Sequence, residues 1–158
     1  LLPLFIITDF NAGTAASAVD TIQISLTAVK GLTTVTDIID SGANSAANTN
    51  GTVQILTADN QTPTAADLVV LSQDYANDAA ALAGMATAGS DTFVLTTMTD
   101  NDAIAIAYYT GTHTNIAIAT TAAAGTSSDG FDSVETIMTL QNVDVTAILD
   151  STDFQWIT

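Results

Sequence analysis

The chain has 158 residues, 47% of them hydrophobic, and sets 17 acidic side chains against a single basic one, Lys30, for a net charge of −16. Nucleic-acid binding, phosphate chemistry and attachment to an anionic membrane all lean on Lys or Arg, so this balance excludes them. No cysteine is present, which removes disulfides, thiolate metal sites and cysteine nucleophiles.

A chain of this length reads as one β-rich domain, 1–158, long enough to hide about 70% of its unfolded surface. Its first segment, "LLPLFII", is apolar on both faces. It is too short, and lacks the basic flank, for a signal peptide. Residues 1–7 are therefore expected to form a strand that pairs within this fold or joins subunits, with Pro3 near its start. "DTIQISL" alternates Ile22, Ile24 and Leu26 with polar residues and predicts a half-buried strand. "GANSAANTNG" (42–51) is small and polar, a loop. "TVQILTA" repeats the alternation with Val53 and Ile55, and "ADLVVLS" (66–72) is continuously apolar, as in a strand buried on both sides.

The Ala-rich stretch from Gln73 predicts one short helix around residues 73–88, closed by Gly89. Three strands follow: "DTFVLTTMT" (91–99), "DAIAIAYYTG" (102–111) and "TNIAIAT" (114–120), the last two joined by the hairpin loop "GTHT". "SSDGFDSVETIMTLQNV" fits helix or strand, and its β-branched content favours strand. The expected fold is mainly β, a β-sandwich or β-solenoid-like domain. No run of about 20 apolar residues is present to cross a membrane.

All but one of the acidic residues are aspartates, Glu135 being the exception. Aspartate is poor inside strands and helices and good in turns, so the charge is expected in loops. Self-repulsion of such a charge is relieved by bound cations. Calcium takes six to eight oxygens from carboxylates, amides and carbonyls. The candidate ligand groups are Asp9, Asn11 and Asp20; Asp100, Asn101 and Asp102; and Asp129, Asp132 and Glu135. None has the spacing of an EF-hand loop, and ordinary turn chemistry is the alternative for each.

Ile7, Asp9, Phe10, Gly13, Asp20, Ile22 and Ile24 resemble an I-x-D-F-x-x-G-x-D-x-I-x-L pattern, with an insertion before Asp20. That pattern follows the calcium-binding β-roll in repeats-in-toxin (RTX) secreted bacterial proteins. "GSDTFVL" (89–95) is similar to a strand of the same family, and "DSTDFQWIT" (150–158) to its acidic-then-apolar type I secretion signals. The resemblance covers about a quarter of the chain and implies calcium binding and an extracellular or cell-surface location. The glycine-rich nonapeptides of the β-roll are absent, and the order of the two segments is inverted.

His113 is the sole histidine, without a second His or Cys to share a zinc ion, and the chain has no G-x-S-x-G elbow. Paired carboxylates of the glycosidase kind carry little signal among so many aspartates. Tyr108, Tyr109 and Trp156 fit core packing better than a sugar platform. Asn50 and Asn60 open sequons for N-glycosylation. The expected function is that of a non-enzymatic extracellular structural protein, a surface-layer, fibre or adhesin subunit forming a homo-oligomer or polymer with calcium. The alternative is a calcium-dependent carbohydrate-binding or adhesion module with a glycan partner.

Overall fold

The computed structural model describes residues 5–8, 10–11, 20–32, 37–38, 52–57, 61–62, 66–86, 89–99, 101–121, 125–144 and 153–157. The fold is mainly β. Its strands are β1 (Phe5–Ile7), β2 (Ile22–Ser25), β3 (Asp37–Ile38), β4 (Val53–Ile55), β5 (Leu68–Asp74), β6 (Val94–Met98), β7 (Asp102–Tyr109), β8 (His113–Thr121), β9 (Gly125–Ser127), β10 (Phe131–Gln141) and β11 (Phe154–Ile157). Two helices, α1 (Leu26–Leu32) and α2 (Asp78–Met85), interrupt them. The central sheet runs β1-β10-β8-β7-β5-β4, with β3 pairing the start of β7. Its middle strands β10, β8 and β7 are antiparallel, and the flanking pairs are parallel.

Both faces of this sheet are buried at its middle strands β7 and β8, and the reason is in their pairing. Across it Ile104 faces Ala119, Ala105 faces Ile118, Ile106 faces Ala117 and Ala107 faces Ile116. Each large side chain sits beside a small one. One face takes its bulk from Ile104, Ile106 and Tyr108 on β7, the other from Ile116 and Ile118 on β8. Interdigitation of this kind fills both layers without overcrowding either. Leu68 and Val70 add to one face of the sheet, Val69 and Leu71 to the other, and all four are fully buried.

A parallel ribbon of β2 and β11 covers the face of Ile116, Ile118, Leu68 and Val70 with Ile22, Ile24, Phe154 and Trp156, and α1 adds Val29. The opposite face packs on α2, through Ala81 and Met85, and on the antiparallel ribbon β6–β9, through Leu95 and Met98. The strand expected over "DTIQISL" stops one residue early. Ser25 Oγ accepts the Ala28 N–H (3.2 Å), a cap that turns the chain at Leu26 into α1.

The Ala-rich helix lies within its expected range but is shorter. β5 continues to Asp74, and Asn77 is the N-cap, its side chain accepting the Ala80 N–H (3.0 Å). Ala86, not Gly89, ends it in an extended conformation. Gly89 packs against the Gly84 carbonyl so closely that a Cβ would lie 1.9 Å from it. The β7–β8 hairpin forms as expected, with Gly111 at φ 87° in its turn. "FDSVETIMTLQ" is strand β10 throughout. Phe5–Ile7 pairs in parallel with Met138–Leu140 of β10 at the sheet edge. Residues 1–4, the loop 42–51 and both sequon asparagines lie outside the described residues.

Candidate functional site

Three aspartates stand at the starts of strands and use one device. Asp20, just before β2, donates its backbone N–H to the Asn11 carbonyl (3.1 Å) and accepts the Asn11 N–H on Oδ2 (3.0 Å). Asp67, just before β5, does the same with Thr52, at 2.8 Å in both directions. Asp102, the first residue of β7, clasps Thr99 at 3.2 and 2.7 Å and also accepts its hydroxyl at 2.9 Å. In each case the carboxylate stands in for the residue's own carbonyl and completes a two-bond bridge. Such charge-assisted bonds are about twice as strong as neutral ones. Asp67 is completely buried and Asp102 nearly so.

The proposed calcium ligands are distributed accordingly. Asn11 and Asp20 come together across the loop they flank, and Asp9 lies outside the described residues. Asn101 has a left-handed backbone (φ 65°), which asparagine tolerates better than most residues. It donates its N–H to the Thr121 carbonyl (3.0 Å). Its neighbour Asp102 is committed to Thr99, and Asp100 lies outside the described residues. The backbone of Asp129 forms the short 3-10 turn Ser128–Gly130. Asp132 and Glu135 are exposed on β10, within the segment whose β-branched content favoured a strand. Asp132 falls in a bulge between Phe131 and Ser133, and Glu135 pairs with Ile118. Among the described residues no three His, Asp or Glu side chains converge on one point.

Two polar centres were not singled out in the sequence. Asp91 is fully buried, and its carboxylate accepts the N–H groups of Ser72 (2.8 Å) and Gln73 (3.1 Å) and the Tyr75 hydroxyl (2.6 Å). Gly84 makes room for that hydroxyl, since a Cβ there would lie 2.2 Å from it. The second centre is Asp78, in the first turn of α2. It accepts the Tyr108 hydroxyl (2.6 Å), the Thr136 N–H (3.0 Å) and the Thr136 hydroxyl. Asn115 donates to the Tyr108 oxygen (2.9 Å) and accepts from Thr139 (2.8 Å). Burial, then the hydrogen bond to Asp78, pushes the Tyr108 phenol up to about 12. The network ties α2 to β7, β8 and β10 and keeps Tyr108 protonated. Its one sequence signal is Asn77-Asp78 ahead of an Ala-rich run, the signature of a helix start.

His113 is the first residue of β8, half-buried, with Nδ1 2.9 Å from the Thr112 hydroxyl. Tyr108 and Trp156 are both 0% exposed and belong to the core, which removes them from any stacking platform. No described helix is long and apolar enough to cross a membrane. No protein-family model, curated protein or solved structure matches the chain.

Proposed function

We propose that the chain is a non-enzymatic extracellular structural subunit that assembles with copies of itself and is stabilised by calcium. The observation that carries this reading is the edge of the central sheet. β1 is an edge strand of sequence Phe5-Ile6-Ile7, and Ile6 is 58% exposed. An edge usually carries a charge, a proline or a bulge that blocks further pairing. Here it carries an apolar side chain and, among the described residues, no second strand partner, the features that β-augmentation uses.

The buried aspartates support a structural role as well, because Asp67, Asp91 and Asp102 spend their carboxylates on backbone N–H groups. Calcium enters through charge. Sixteen net negative charges in one domain oppose both folding and association. A divalent cation held by exposed Asp and Asn oxygens relieves both. The clasped pair Asn11 and Asp20 is the first candidate. The test is negative-stain electron microscopy of the purified chain with calcium and with chelator, no sugar being added. Regular particles in calcium alone are expected. A dispersed protein in both conditions rejects the reading.

A further inference from the structure

Among the described residues the β2–β11 ribbon, like β6–β9, pairs with no strand of the central sheet. Its strands lie 132 residues apart in sequence and meet in parallel, Phe154 beside Ile22, Gln155 beside Gln23, Trp156 beside Ile24 and Ile157 beside Ser25. Among the described residues β11 has no other strand partner. It is held by this one ladder and by two aromatic side chains, Phe154 at 1% exposure and Trp156 at 0%, stacked edge to face at 5.3 Å. They drop into the apolar face made by Ile22, Ile24, Ile116, Ile118 and Leu140.

We infer that β11 is an exchangeable strand: β11 of one copy seats on β2 of the next, and this exchange links subunits head to tail. The inference rests on the reading of the chain as an assembling subunit, and it names the contact. The seat accepts this occupant, because a strand of this sequence fills it within one chain. A second copy offers the same strand with the same register and the same two aromatic anchors. Exchange of an identical element therefore creates no new interface to optimise. Nor does it break a ladder of the central sheet, because among the described residues the ribbon shares none with it. Each exchanged copy leaves its own seat to be filled by another, so the contact is heterologous and propagates into a filament. The open β1 edge lies on another element and is left for a lateral contact.

The chain has no cysteine, which makes the test clean. The side chains of Gln23 and Gln155 meet across the ribbon, Nε2 to Oε1 at 3.2 Å, on its exposed side. The full chain carrying Gln23→Cys and Gln155→Cys is assembled in calcium, oxidised, and run on a denaturing gel without reductant. Exchange predicts a ladder of disulfide-linked multimers. It also predicts that the same variant, oxidised as dilute monomers before calcium is added, scatters at least tenfold less light than its reduced form. Particles whose disulfides are all within single chains overturn the exchange while leaving the assembly reading intact. So do oxidised monomers that assemble like the reduced protein. Absence of any particle from the native chain overturns both.

Discussion

At the scale of single residues, Asp20, Asp67, Asp78, Asp91 and Asp102 are acceptors for the chain's own backbone N–H groups. Asp91 shows the magnitude most clearly. Replacing it by Ala leaves two N–H groups and the Tyr75 hydroxyl without their acceptor inside the protein. Each such loss costs about 1–3 kcal/mol, so Asp91→Ala is expected to lower unfolding free energy by about 3 kcal/mol or more. Asp74→Ala, at an exposed position at the end of β5, should stay within about 0.5 kcal/mol of the parent. Denaturant unfolding of the two variants checks this, and equal effects would refute it. Tyr108 gives a pH dependence. Its folded pKa is raised from 10.0 to about 12. A raised pKa means that the folded state binds the proton more tightly. The stabilisation is therefore full below pH 10 and is lost as pH climbs from 10 to 12. Ultraviolet titration should show a phenol ionising near pH 12 that disappears in Tyr108→Phe.

At the scale of elements, the local patterns were readable and the pairings were not. "ADLVVLS" and "DAIAIAYY" announce buried strands because, after the aspartate near each start, Leu68–Leu71 and Ala103–Ala107 are unbroken apolar runs. Asn77-Asp78 announces a helix start. Helix α1 was missed because the Ile/Leu alternation runs unbroken through Leu26, and only the Ser25 cap marks the change. The partners of β1, β2 and β3 lie more than 60 residues away and run parallel to them. Parallel pairing leaves no turn signature between neighbours, so nothing local encodes it. The clasps of Asp20 and Asp67 were equally hidden. A carboxylate that substitutes for a carbonyl looks, in sequence, like any aspartate in a turn. The Ile/Ala alternation of β7 and β8 has a testable consequence. Ala105→Leu adds bulk beside Ile118 under the β2–β11 ribbon, and overpacking of this kind costs about 1–3 kcal/mol. Adding Ile118→Ala should recover at least half of that loss, because the pair shares one volume. Additive losses in the double variant would contradict the packing scheme.

At the scale of the molecule, one sheet is enclosed between two small ribbons and two helices, in a chain of net charge −16. The core is complete within one chain, since Trp156, Tyr108, Phe93 and Phe154 are all essentially inaccessible. Among the described residues the β1 edge with Ile6 has no second strand partner, and a net charge of −16 has one basic side chain against it. On the proposed reading both are answered by neighbouring copies and a divalent cation. Bound calcium at a hundredfold excess over its Kd would add about 2.7 kcal/mol to the folded state. The most direct measurement is the mass of the native chain by multi-angle light scattering during a calcium titration at constant ionic strength. The account predicts a rise from monomer to large multimers that reverses when calcium is chelated. A monomeric mass at every calcium concentration would contradict it.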